Sequence, residues 1–102
     1  MITNKSTLFI ALENNSKVIK SFGVERIGVF GTFVRNTADS NSDVDFIVEF
    51  KSGEKSYDNL FALYHYLEHL TQRKVEVITK ESLSPYIGPH ILQEVEYVSF
   101  RN

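Results

Sequence analysis

The chain contains no cysteine. Disulfide bonds and thiolate chemistry are therefore excluded, and nothing hints at secretion into an oxidising compartment. A long apolar run is also missing. Met1 is followed by polar Thr3, Asn4, Lys5 and Ser6, without the apolar core that a signal peptide or membrane span needs. The expected location is cytoplasmic. Clustered positive charge is absent too: 11 Lys and Arg against 13 Asp and Glu leave a net charge of -2, with the basic residues scattered. That distribution gives little nonspecific grip on a nucleic-acid backbone and argues against a template-binding polymerase. No internal repeat, linker or low-complexity segment breaks the 102 residues. Such a length is expected to form a single domain, 1–102, burying about 60 to 68% of its unfolded surface.

What the chain does have is concentrated in one stretch. Gly31-Thr32 is followed, after ten residues, by Asp43-Val44-Asp45. Upstream, Arg26-Ile27-Gly28-Val29-Phe30 is a short run rich in β-formers that stops at Gly31, a break of the kind that ends a strand. Thr32 then serves as N-cap or first-turn residue of a brief helix through Phe33, Val34 and Arg35. Its free N–H groups and positive dipole end suit an anion, with a triphosphate as the obvious candidate. After a polar loop, 36–42, the run from Asp43 to Phe50 opens with alternating acidic and apolar residues, as a strand with one buried face does.

Two carboxylates at i and i+2 of a strand lie on one face, with Cα atoms about 6.5 to 7 Å apart. Their oxygens can share one or two hard cations. Mg²⁺ fits best, because it takes oxygen ligands and favours a few carboxylates completed by substrate phosphates. Without a cation, like charges this near repel and one pKa rises. Gly-Thr and Asp-x-Asp each arise by chance, and an acidic strand start is often only a solvated end. The order of strand, Gly-Thr turn, short helix, loop and Asp-x-Asp strand argues against coincidence, and phosphoryl or nucleotidyl transfer leads.

At these residues the chain resembles a known family. Val29-Phe30-Gly31-Thr32-Phe33-Val34-Arg35-Asn36 and Ser42-Asp43-Val44-Asp45-Phe46 look like the Gly-Ser/Thr, x10, Asp-x-Asp signature of minimal nucleotidyltransferase (MNT) domains, small members of the DNA polymerase β-like superfamily. Arg73-Lys74-Val75-Glu76-Val77-Ile78-Thr79 resembles their third acidic strand, and residues 83–97 resemble their usual ending. The resemblance implies that Gly31 and Thr32 hold the nucleotide phosphates, that Asp43 and Asp45 bind Mg²⁺, and that Glu76 adds a third metal-binding and catalytic carboxylate. Thr32 replaces the usual Ser and keeps its hydroxyl. Glu76 stands where the family usually has Asp, and its extra methylene shifts the carboxylate by more than the roughly 0.5 Å a preorganised site tolerates unless the backbone compensates. That puts catalysis in question more than binding.

By the same resemblance the nucleotide is ATP and the partner a HEPN-domain protein. The MNT component would act as an antitoxin, adenylylating a tyrosine of the HEPN toxin or simply binding it. The alternatives are a noncatalytic nucleotide-binding antitoxin and a small-molecule nucleotidyltransferase, for example one modifying an aminoglycoside hydroxyl. Oligomeric state is left open.

Other residues near the signature carry two readings each. Arg35 shares Thr32's face of a helix and reaches either a phosphate or the carboxylates, or else forms a structural ion pair with Asp39 or Asp43. Ser42 is counted with the nucleotide-binding residues, although its position suits it better to shaping the loop. The loop 36–42 itself is a candidate mobile lid. His65 and His69, four apart with Glu68 beside them, have zinc-ligand spacing but no third ligand, so a solvated or partner-facing role is expected.

The remainder reads as scaffold. Leu8, Ala11, Leu12, Val18, Ile19 and Phe22 predict one long helix ending at Gly23. Leu60, Leu63, Tyr64, Leu67 and Leu70 predict a second over about 56–71, after a turn at 51–55. Val75 and Val77 should face the core while Glu76 faces away. Pro89 opens a short helix, and the run 95–100 is either a last strand or irregular. Most of the eight Phe and five Tyr are expected inside, with an exposed fraction available to a protein interface. The expected fold is α/β (α+β), the nucleotidyltransferase fold, with a mixed β-sheet of three to four strands and helices packed mainly on one face.

Overall fold

A computed structural model describes residues 2–100. Helix α1 (Lys5–Asn14) begins where Asn4 caps it: the Asn4 side chain accepts from the Thr7 amide at 2.9 Å, and the Thr7 hydroxyl accepts from the Asn4 amide at 3.2 Å. This reciprocal cap satisfies two of the donors that a helix start leaves unpaired. The single long helix expected from the apolar spacing is in fact two, because Asn15 leaves helical geometry at φ -113°, ψ 21°. Its side-chain amide donates to the Ala11 carbonyl at 2.8 Å, the local competition with the backbone that makes Asn a poor interior helix residue. Helix α2 (Ser16–Ser21) resumes and stops before Gly23, whose φ of +85° marks the left-handed ending the sequence predicts.

Strands β1 (Val24–Phe30), β2 (Val44–Phe50), β3 (Val75–Thr79) and β4 (Glu96–Tyr97) form one sheet in the order β3-β2-β1-β4. The β1–β2 and β1–β4 pairs are antiparallel and the β2–β3 pair is parallel, so the sheet is mixed, as expected. Parallel neighbours need a crossover, here helix α3 (Tyr57–Thr71), capped by the Ser56 hydroxyl accepting from the Asn59 amide at 3.1 Å. Helix α4 (Gly88–Glu94) follows, with Pro89 in its first turn. The last run is mostly irregular: only Glu96 and Tyr97 pair with β1, and the Val98 amide adds one bond to the Ile27 carbonyl at 2.9 Å.

The core lies between α1–α3 and one face of the sheet. Leu8, Leu12, Ile19, Leu63 and Leu67 from the helices meet Ile27, Val29, Val44, Phe46 and Val48 from the strands, all fully buried. Alternation turns Asp45 and Ile47 to the opposite face. There the C-terminal stretch approaches closely: a Cβ added at Gly28 would meet Val95 at 2.6 Å. In β3, Val75 is buried and Val77 packs against the core, while Glu76 is exposed, as the sequence predicts. Among the described residues, no helix is long and apolar enough to cross a membrane.

Leu67→Ala should lower unfolding free energy by about 2–5 kcal/mol in a urea titration, because it opens a cavity between α3 and the sheet. Ile10→Ala, at a site 56% exposed, should change it by less than about 0.5 kcal/mol.

Candidate active site

The signature residues converge where β1 ends. Phe30 is extended, and Gly31 then turns the chain at φ +79°, a left-handed conformation that disfavours any side chain. A second constraint acts at the same atom, since a Cβ on Gly31 would collide with Asp45 Oδ2. Glycine is thus required both for the turn and for the approach of the carboxylate. A single 3₁₀ turn follows over Gly31–Phe33, one residue earlier and tighter than the helix expected from Thr32. The amides of Val34 and Arg35 both donate to the Gly31 carbonyl at 3.1 Å.

Pairing places the carboxylates. Asp45 sits in β2 opposite Phe30 of β1 and opposite Glu76 of β3, so it lies between the Gly31 turn and the third acidic residue. Asp43 comes immediately before the strand. Burial first, then the charges of Glu76 and Asp43, push the Asp45 carboxyl up to about 6; Arg35 opposes that rise and Glu94 adds to it. The carboxylates are near enough to repel one another. Among the described residues, however, no three acidic or histidine side chains close around a point where they alone could hold an ion. A Mg²⁺ ligand set of two carboxylates completed by phosphate oxygens suits this arrangement, because Mg²⁺ rarely takes an all-protein cage.

Arg35 pairs with neither Asp39 nor Asp43, the ion-pair partners of one of its two sequence readings. Its Nη1 lies 2.8 Å from Oε1 of Glu94, at the end of α4. Glu94 Oε2 also accepts the Gly31 amide at 2.8 Å. These contacts, the Gly31 amide foremost, hold the Glu94 carboxyl below its usual range despite its partial burial. The Gly31 N–H expected to face phosphate is therefore engaged within the protein. No local sequence signal marks Glu94, which lies 63 residues from Gly31.

The loop 36–42 is tied down. Ser42 Oγ accepts the Asp39 amide at 2.9 Å and donates to Asp39 Oδ1 at 3.3 Å, the loop-shaping role expected of it. Arg73, also unmarked in the sequence, donates through Nη1 to the carbonyls of Asp39 and Ser42, each at 2.9 Å, and through Nε to the Ile2 carbonyl at 3.0 Å. A polar recess of 410 Å³ opens beside Asp43, with Arg73 and Lys74 on its wall. His65 belongs to a surface ring cluster, 4.4 Å from Phe61 and 5.5 Å from Tyr64 between centroids, with Glu68 at 3.8 Å.

The mixed sheet thus sets a glycine turn against strand carboxylates. The nucleotidyltransferase domain family matches residues 12–98, and the chain belongs to that family. It is similar to the protein adenylyltransferase MntA of Thermococcus cleftensis, 37% identical over 98 residues that cover 96% of this chain and 98% of the relative. A solved minimal nucleotidyltransferase superposes with a TM-score of 0.79 at 26% identity, over 92% of this chain and 95% of that one. The fold recurs, at 14% identity and a TM-score of 0.63, in a chain from the complex of tri-AMPylated Shewanella oneidensis HEPN toxin with its MNT antitoxin, over 91% of this chain and 73% of that one.

The folded protein retains the Asp45 proton up to about pH 6, whereas the ordinary value is 3.8. Stability therefore falls as pH rises through that window, and the ionised carboxylate opposes folding at pH 7. Asp45→Asn should stabilise the metal-free protein at pH 7 by about 1 kcal/mol, a figure discounted for partial exposure, with the difference from wild type vanishing below about pH 4 in paired thermal melts.

Proposed function

We propose that the chain transfers AMP from Mg-ATP to a tyrosine hydroxyl of a HEPN-domain partner and so serves as its antitoxin. The observation that carries this reading is the contact of the Gly31 turn with Asp45, with Glu76 directly across the strand pair. The adenylyltransferase name of the Thermococcus relative and the AMP on the Shewanella toxin support the donor and the acceptor.

Thr32 would hold the terminal phosphates through its amide and hydroxyl, with the Phe33 amide beside it, since the first N–H groups of a 3₁₀ turn lack intrahelical acceptors. Asp43 and Asp45 would hold Mg²⁺, which when bound neutralises phosphate charge and makes the α-phosphorus easier to attack. The donor set fits that ion, because a cation offsets both the burial and the neighbouring negative charges that raise Asp45. Glu76, exposed on the same face, would take the proton from the acceptor hydroxyl. The acceptor oxygen bonds to the α-phosphorus as the bond to the β-phosphate oxygen breaks, and pyrophosphate departs toward Thr32. Exposure of Glu76 suits an acceptor presented by another polypeptide.

A noncatalytic reading, neutralisation by binding alone, draws on the absence of a closed three-carboxylate cluster among the described residues. A small-molecule acceptor is a further alternative, tested by screening hydroxylated compounds.

With ATP labelled at the α-phosphate, label should appear on a cognate HEPN protein and fall at least about 100-fold in the Asp43→Asn, Asp45→Asn double variant. A stable complex that stays unlabelled, and is still neutralised by the double variant, would replace transfer with occlusion.

A further inference from the structure

One carboxylate outside the signature joins both ends of the Gly-Thr turn. Glu94 Oε2 receives the Gly31 amide and Oε1 receives Arg35 Nη1, each at 2.8 Å, while the Arg35 amide returns to the Gly31 carbonyl at 3.1 Å. The segment 31–35 is thereby closed into a ring by a residue from another part of the chain. Gly31 occupies a backbone region that glycine enters and leaves easily, so the turn has little intrinsic stiffness. A charge-assisted bond to its N–H fixes the orientation of that peptide and, through it, of the Thr32 and Phe33 peptides that follow.

The contact is not needed to dock the tail. Strand β4 already ties it to β1 at Gly28–Tyr97 and Val29–Glu96, and the Val98 amide bonds the Ile27 carbonyl. Of the α4 residues only Gly88 is buried, so the helix contributes little packing of its own. What Glu94 adds is orientation: of the turn, and of a guanidinium whose field is felt at Asp45.

We propose that Glu94 is a positioning residue for nucleotidyl transfer, holding the Gly31 turn and the Arg35 guanidinium in the arrangement that receives the nucleotide phosphates. This rests on the transfer reading above. The opposite assignment is a phosphate mimic that must leave before nucleotide binds. It is disfavoured because the Thr32 and Phe33 amides, at the start of a 3₁₀ turn, need no donor from Gly31, and because Arg35 meets Glu94 through Nη1, one nitrogen of a guanidinium with five N–H groups.

The test compares wild type, Glu94→Ala and Glu94→Gln in three assays: AMP transfer to a HEPN protein over a range of Mg-ATP, direct binding of a nonhydrolysable ATP analogue with Mg²⁺, and thermal melting. Glu94→Ala should melt within about 5 °C of wild type. It should also lose about 10- to 100-fold in kcat/KM and bind the analogue more weakly, with Glu94→Gln recovering part of both because its amide oxygen still accepts from Gly31. Lys55→Ala, which breaks the exposed pair with Glu81, should alter none of these. A folded Glu94→Ala protein with unchanged kcat/KM and analogue affinity overturns the proposal. Tighter analogue binding by Glu94→Ala overturns it in favour of the phosphate mimic. If wild type binds the analogue but transfers nothing, the transfer reading fails alone, and weaker binding by Glu94→Ala still upholds the positioning role. If wild type binds no nucleotide, both fall.

Discussion

Strand β2 is paired on both edges, and the site depends on the registers it keeps with its neighbours. Antiparallel pairing with β1 sets Asp45 against the end of that strand, where the chain turns at Gly31; parallel pairing with β3 sets Glu76 beside it. Side chains alternate along a strand, so a slip of one residue on either edge would send a carboxylate to the wrong face and an apolar residue into solvent. The buried row Val44, Phe46 and Val48 opposes such a slip. The hydrophobic core, which includes Phe33 of the turn and Val44 between the two aspartates, thus fixes the geometry of the polar site.

That geometry has a cost. Asp45, Asp43, Glu76 and Glu94 all raise local negative potential, and Arg35 is the cation that answers at Asp45. A compact domain carrying such a cluster gives up stability for a function that needs concentrated charge. Arg73 does related work at the loop, where its guanidinium gathers three carbonyls and lies 4.9 Å from the Phe33 ring centre, so that the loop before Asp43 and the turn after β1 share one support.

Local pattern was enough to read the elements that local pattern governs. The apolar stripe foretells α3, Gly23 foretells the end of the first helical region, and alternation at Val75, Glu76 and Val77 foretells which way the third carboxylate faces. The break at Asn15 was hidden because apolar spacing runs through it undisturbed, while the side chain that ends the helix acts through one backbone bond. For Arg35 the sequence offers a phosphate, the carboxylates or an ion pair with nearby Asp39 or Asp43, and the ion-pair partner it takes, Glu94, lies 59 residues away in sequence. Arg73 was invisible for a similar reason: its acceptors are carbonyl oxygens, which every residue has. Side chains that choose backbone partners or distant charges leave no periodic trace.

The wide spacing of these parts also bears on how the protein comes to be active. Gly31, Asp45, Glu76 and Glu94 come from four separate elements, and the first and last are 63 residues apart. Closing such long loops is entropically slow, and a parallel strand pair joined through a helix cannot form from local contacts alone. A partly folded chain holding its helices and the β1–β2 pair would therefore have a core and no finished site. On the proposed assignment of these residues, the site is complete only with the last strand pairings, and transfer would report on completed folding more sharply than helical content does.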